Sequence, residues 1–312
     1  MAKISKSFVD VTLRPDGTKV QIPVIDIGSG EKRAFIGLSI HGDELTGQAS
    51  VWSLLDMLKS VETHGSIRIA TVMNPEGVNY DHRGIPFKEP DINRLYPGDP
   101  TGSVGERIAA KVWSLAEEYD CVIDVHTAGE CVPFILLDPM KETVLKRVAE
   151  LAKSAGMTVL GEFPPDKYER EHLSGSLSAY AVERGKLGLT LELAGSDGID
   201  WITARSGFAA LVNMLVHLGV LGVEHTRRRE SVKLFEDMEY HRDHLRSEVS
   251  GIIQYAVAPG YMVKQGETVA HIRNFFGEIV GEIKAPRECY IIGINKADAV
   301  FQGDSVCTIA VK

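Results

Sequence analysis

Two histidines and one carboxylate are the residues of this chain best suited to chemistry. His41-Gly-Asp-Glu44 places an imidazole and a carboxylate three positions apart, and His126 stands in Asp124-Val-His-Thr127. Together His41, Glu44 and His126 can fill three corners of a tetrahedral zinc site, leaving the fourth open for water or substrate. That is the pattern of a catalytic rather than a structural zinc. The His-x-x-Glu spacing is short and arises by chance in many chains. Glu44 would equally suit the first turn of a following helix, where an acidic side chain meets the positive end of the helix dipole. His126 taken alone also fits a hydrogen-bonded interior position.

The elements that must position these groups favour convergence. The apolar run Ala34-Phe-Ile-Gly-Leu-Ser-Ile40 predicts a buried strand with His41 at its end, and Gly42 permits a tight turn there. A second run, Cys121-Val-Ile-Asp-Val125, places His126 at another strand end. Open α/β sheets collect ligands at the carboxyl ends of their strands, so residues distant in sequence can meet there.

Between the histidines lie Asn74-Pro-Glu-Gly77, Arg83 and Asp91-Ile-Asn-Arg94, in a long segment rich in Pro and Gly. Long ordered loops of this kind are often functional. Arg94 offers a planar guanidinium that matches two carboxylate oxygens, and Asn93 could add a third hydrogen bond. Arg83 could face an oxygen that becomes negative during reaction; the alternative is a solvated surface arginine. Glu192 sits in the intensely apolar run Leu187-Gly-Leu-Thr-Leu-Glu-Leu193. It is either paired with an internal arginine or faces a cleft, where burial would raise its pKa and suit it to take a proton from water.

The whole chain sets the bounds. With 312 residues, 44% of them hydrophobic, it can build one large domain and a smaller one. A net charge of −9 argues against nucleic acid or an anionic membrane as the main partner, and Arg227-Arg-Arg229 reads as a solvated helix end. The start, Met1-Ala-Lys-Ile-Ser-Lys6, lacks an apolar signal region, and no stretch approaches a membrane span. The four cysteines show no zinc-knuckle or disulfide spacing. A cytoplasmic location is expected.

Residues 6–27 alternate polar and apolar around Pro15-Asp-Gly17, predicting a β-hairpin. Strands are then expected over Ala34–Ile40, Ile67–Met73, Cys121–Val125, Phe134–Leu137, Met157–Leu160 and Leu187–Leu193, in a sheet covered on both faces. Helical periodicity marks Leu45–Val61, Glu142–Ala155, Thr203–Leu221 and Val104–Tyr119, the last preceded by Ser103 with Glu106 three residues on, a capping-box signature. The expected fold is a three-layer α/β/α domain over 1–225, including the N-terminal hairpin. A charged connector is expected over 226–249 and a β-rich unit over 250–312.

That β-rich unit repeats itself. Val263-Lys-Gln-Gly-Glu-Thr-Val-Ala-His-Ile272 is echoed by Val300-Phe-Gln-Gly-Asp-Ser-Val-Cys-Thr-Ile309, suggesting two related β-halves, each with a glycine turn and an alternating strand. With Lys284-Ala-Pro286 opening the second half, the tail resembles the biotinyl/lipoyl-type hammerhead. Its hairpin, Arg273-Asn-Phe-Phe-Gly277, has no lysine at the tip, so a cap or assembly surface is expected rather than a swinging arm.

The order His41-x-x-Glu44, Asn74-Pro-Glu-Gly77, Arg83, Asn93-Arg94, His126, Glu192 resembles the zinc carboxypeptidase superfamily, and within it the succinylglutamate desuccinylase/aspartoacylase branch. The likeness spans about 34–220, and the β tail extends it over nearly the whole chain. The resemblance implies one zinc per chain on His41, Glu44 and His126. It implies Arg83 on the scissile carbonyl, Asn93 and Arg94 on the substrate carboxylate, and Glu192 as general base and then general acid. This sequence has Gly-Asp between the first two ligands where Gly-Asn is common, which adds a charge near the metal. No tail tyrosine could be matched to the family's substrate-binding tyrosine. The expected activity is zinc-dependent hydrolysis of a small N-acyl amino acid or related amide to a carboxylate and a free amine. The alternatives are a zinc carboxypeptidase acting on short peptides, and a catalytically inactive binding or scaffold protein of the same fold. Exposed β edges in the tail suggest a homo-oligomer.

Overall fold

The computed structural model describes residues 2–139, 141–195, 198–227, 240–295 and 298–312. Much of the expected connector, and Arg228 and Arg229, lie outside the described residues.

The N-terminal hairpin forms from β1 (Ile4–Leu13) and β2 (Lys19–Gly28), with Leu13 opposite Lys19 across the Pro15-Asp-Gly17 turn. The next strands are β3 (Arg33–Leu38), β4 (Ser66–Ala70), β5 (Cys121–Thr127), the short β6 (Glu130–Cys131), β7 (Phe134–Leu137), β8 (Thr158–Gly161) and β9 (Leu187–Leu193). Helices α1 (Thr46–Leu58), α2 (Pro75–Asn79), α3 (Val104–Ala116), α4 (Glu142–Ala155), α5 (Pro165–Arg170), α6 (Leu177–Glu183) and α7 (Trp201–His217) lie between and after them. The C-terminal region adds β10 (His241–Arg246), β11 (Gly251–Tyr255), β12 (Met262–Val263), β13 (Thr268–Arg273), β14 (Ile279–Lys284), β15 (Cys289–Ile294), β16 (Ala299–Val300) and β17 (Ser305–Val311).

Neighbouring strands of the main sheet run β1-β2-β4-β3-β5-β9-β7-β8-β10-β17-β15-β12. Its centre, β4-β3-β5-β9, is parallel, and every residue of β5 is buried. Parallel strands need cover on both faces, and both are covered. On one face Val51, Leu54 and Leu58 of α1 pack with Val148 and Leu151 of α4, Leu211 and Leu215 of α7, and Ile36, Ile123 and Leu189 of the sheet. On the other, Ile108 and Val112 of α3 and Leu177 and Tyr180 of α6 pack on Phe35 and Val122.

Local signals explain most boundaries. Ser103 and Glu106 form the capping box that starts α3. Asp200 accepts from the amides of Ile202 and Thr203, so α7 begins two residues before the apolar periodicity does. Gly156, at φ 78°, ends α4 in the left-handed conformation that favours glycine.

Two features depart from the sequence expectation, and the direction of one strand, which the sequence left open, is a third finding. The first central strand stops at Leu38, because Ser39 turns into the left-handed region at φ 53°, and His41 therefore sits in a turn beyond the strand. β7 runs antiparallel to β9. The C-terminal strands also join the main sheet: β10 pairs with β8 at His241–Gly161 and with β17 along its length. A four-stranded sheet, β14-β13-β11-β16, shares a core with them through Val263, Val269, Ile272, Ile291, Val306 and Ile309. The result is a mixed α/β fold with an added strand-rich C-terminal region. Among the described residues, no helix is long and apolar enough to cross a membrane.

Candidate metal centre

The parallel pairing of β3, β5 and β9 brings their carboxyl ends together, with His126 of β5 directly opposite Glu192 of β9. His41 and Glu44 reach the same point through the turn after β3. Ser39 Oγ donates to the Glu44 carbonyl at 3.1 Å, and Gln48 Nε2 donates to Ser39 Oγ at 3.1 Å. Strained backbone of this kind persists where its surroundings over-determine it, often at functional sites.

The turn is also pressed against the Asn74-Pro-Glu-Gly77 segment. Asn74 caps α2 by accepting from the Gly77 amide at 2.8 Å. Gly42 lies so close that a Cβ on it would fall 1.9 Å from the Gly77 carbonyl carbon. That segment is thus a rest on which the turn carrying His41 and Glu44 lies.

The potential ligand atoms of His41, Glu44 and His126 all lie within 4.8 Å of one another. His41 Nδ1 is 2.7 Å from Glu44 Oε1, His126 Nδ1 is 2.9 Å from Glu44 Oε2, and the two Nδ1 atoms are 3.1 Å apart. The far side of each ring faces a carboxylate: His41 Nε2 is 3.0 Å from Asp91 Oδ1, and His126 Nε2 is 2.9 Å from Asp124 Oδ2. In the tautomer that gives the Nε2 protons to those carboxylates, the Nδ1 lone pairs point inward beside Glu44. Lone pairs and a carboxylate converging at such distances repel one another unless a cation lies among them, so this donor set fits a metal ion. A carboxylate behind each ligating imidazole is the usual device for orienting it.

Burial works to raise the Glu44 carboxyl, but when the two imidazoles are protonated their charge and hydrogen bonds outweigh it and hold it well below the usual carboxylate range. Asp91 is likewise held low despite its burial, by the His41 hydrogen bond and the nearby Arg83 charge. Glu192 moves the other way. Its burial, reinforced by the charge of Glu44, pushes it up to about 6, against the lowering influence of His126 and Arg242.

Arg83 spans the rim, with Nη1 3.3 Å from Glu44 Oε1 and Nη2 donating to Asp91 Oδ2 at 2.9 Å. Arg94 lines the same cavity, donating from Nε to the Glu171 carbonyl and from Nη1 to the Asn93 carbonyl. Asn93 also faces the cavity, but its amide is engaged: Nδ2 donates to Asp124 Oδ2 at 3.3 Å, and Oδ1 accepts from the Leu177 amide at 2.9 Å. It holds the carboxylate behind His126.

All seven residues singled out in the sequence line one cavity of about 570 Å³. Sequence reasoning gave no role to Asp91 or Asp124. The signal for Asp124 was a charge inside the buried run 121–125. The cavity's outer wall was also missed. Arg242, Ile292–Asn295 and Thr308 of the C-terminal region complete it, together with Asp138 and Glu162. Among the described residues, no tyrosine of the tail lines it.

A family model described as the succinylglutamate desuccinylase/aspartoacylase catalytic domain matches residues 31–218. The chain belongs to this family. It is 28% identical over 302 residues to the N-alpha-acetyl-L-2,4-diaminobutyric acid deacetylase of Halomonas elongata, a match covering 93% of this chain and 86% of that protein. The same fold is found in the product-bound ectoine utilization protein EutE (DoeB) of Ruegeria pomeroyi, with a TM-score of 0.83 at 22% identity, covering 99% of this chain and 95% of that one. An aspartoacylase family protein of Mesorhizobium loti shares it at a TM-score of 0.81 and 23% identity, covering 98% and 94%.

Proposed function

We propose that the protein is a zinc-dependent deacylase that hydrolyses the amide bond of a small N-acyl amino acid or related amide. The observation that carries this reading is the meeting of His41, Glu44 and His126 around one point, with the buried Glu192 on the adjacent strand. Family membership and the acylated amino acid named for the Halomonas relative support it.

His41, Glu44 and His126 would hold the ion. When bound, zinc supplies Lewis-acid catalysis and lowers the pKa of water toward about 7. Glu192, with its raised pKa, takes a proton from the attacking water. Arg83 donates hydrogen bonds to the carbonyl oxygen as that oxygen gains negative charge. Glu192 then gives its proton to the departing nitrogen as the C–N bond breaks, and a carboxylate and an amine leave. Arg94, steadied by Asn93, holds the substrate carboxylate, so the scissile bond is presented in one orientation.

We also read the C-terminal region as hammerhead-like. The two repeated V-x-Q-G turns carry Gly266 and Gly303 in the left-handed region, at φ 80° and 94°, and each leads into a strand of one shared core. Its cavity-lining residues would narrow access to small substrates, which favours acyl amino acids over peptides.

The test measures amine release from N-acyl amino acids and short peptides side by side, for the wild type and Glu192→Gln. The wild type is expected to favour acyl amino acids. The variant should keep its zinc but lose roughly 10²–10⁴-fold in kcat. Preferential trimming of peptides would favour the carboxypeptidase alternative, and a near-wild-type rate in the variant would remove Glu192 from its role.

A further inference from the structure

Each buried carboxylate in the cavity wall but one faces a cationic or imidazole group. Glu44 faces two imidazoles, Glu192 lies beside His126, and Glu162 pairs with Arg242 at 2.7 Å. Asp138 is the exception. It is 4% exposed and accepts only from neutral hydroxyls, Tyr168 Oη at 2.9 Å and Ser178 Oγ at 2.7 Å. Among the described residues it has no ion-pair partner. Burial, with the charge of Glu162 behind it, pushes its carboxyl up to about 7. A buried carboxylate without a cation is costly to ionise, and a positively charged ligand relieves that cost.

Its position relative to the metal centre is set by strand register. Phe134 of β7 lies opposite Glu192 and Leu136 opposite Thr190, and Asp138 continues the same alternation just past the strand. Phe134, Leu136 and Asp138 therefore share the face that floors the cavity. Asp138 is four residue steps beyond Phe134, on the order of 13 Å along the backbone.

We infer that Asp138 is a specificity-determining residue that receives a side-chain ammonium of the substrate, so that the amine set free is a diamino acid. This rests on the deacylase reading above. Glu162 does not compete for that ammonium, because Arg242 already neutralises it.

The experiment uses the zinc-loaded full chain and three Nα-acetyl substrates that differ only at the side-chain end: diaminobutyrate (ammonium), norvaline (neutral, the same length) and glutamate (acidic). The wild type is expected to show kcat/KM for the ammonium substrate roughly tenfold or more above the neutral one, the worth of a buried charge-assisted hydrogen bond. Asp138→Asn should erase that ratio by raising KM for the ammonium substrate, while the neutral substrate, an internal control for folding and chemistry, changes by no more than about threefold. Should the variant fail to fold, competitive inhibition of the wild type by free diaminobutyrate against free norvaline reads the same preference without a substitution. A wild type indifferent to the ammonium, or a ratio unmoved by Asp138→Asn, overturns the inference while leaving the deacylase reading standing. No cleavage of any acyl amino acid overturns both.

Discussion

Asp91 Oδ1 lies 3.0 Å from His41 Nε2, on the side of the ring opposite Glu44. The same carboxylate accepts from Arg83 Nη2 and from the Asn93 backbone amide, so one side chain ties the His41 ring, a rim arginine and the turn before Arg94 together. Asp91→Asn keeps the size but removes the charge and weakens the acceptor. It should lower zinc affinity by about 10–100-fold, as losses behind a ligating histidine typically do, with little change in overall fold. Competition against a chelator measures this. Wild-type affinity in the variant would reduce Asp91 to a partner of Arg83 alone.

The contact between Gly42 and Gly77 makes a second prediction. A methyl group on Gly42 would meet backbone, at 1.9 Å from the Gly77 carbonyl carbon and 2.3 Å from the Val78 amide nitrogen, and backbone cannot step aside as a flexible side chain does. Gly42→Ala should therefore separate the His41–Glu44 turn from its rest, costing roughly 1–3 kcal/mol of stability as overpacking does. It should also lose zinc out of proportion to that cost. Denaturant midpoints beside metal content decide the matter. Equal stability with full metal content would show that the turn has room to move.

Asp138 predicts a pH effect on stability. Its folded carboxyl is pushed up to about 7 from an ordinary value of 3.8. Between those values the folded chain holds a proton that the unfolded chain releases. The stabilising contribution is therefore full below 3.8 and is lost as pH rises through about 7. The groups facing it are Glu162, which opposes its ionisation, Arg242, which favours it, and the Tyr168 and Ser178 hydroxyls. Asp138→Asn cannot titrate there, so its Tm should gain on the wild type's progressively from pH 5 to pH 8. A Tm difference independent of pH would mean that the carboxyl is already ionised in the folded protein.

Much of the cavity's lining was legible because buried parallel strands leave continuous apolar runs, and a histidine at the end of such a run has few places to point. His126 and Glu192 followed directly from that logic. His41 reaches the same cavity from a turn rather than from a strand end, since no local pattern announces that Ser39 will turn left-handed and end the strand early. Helix α6 was missed because its seven residues span too few turns to display a period. The reversed direction of β7 is a matter of chain path rather than composition. The acidic wall was illegible for a related reason. Asp138, Glu162 and Arg242 come from the end of β7, the segment after β8, and β10, and it is the pairing of β8 with both β7 and β10 that brings them to one cavity. Asp91 was visible as a residue, but its purpose appears only once the His41 ring has a second face to hold.

On the proposed reading His41, Glu44 and His126 grip one zinc ion that powers amide hydrolysis. Titrating metal-stripped protein with zinc while following amine release from an N-acetyl amino acid tests it most directly. Activity should rise from zero and level off at one equivalent per chain, and His126→Ala should neither bind the ion nor recover activity at that point. Full turnover in the stripped protein, or full recovery in the variant, would contradict the account.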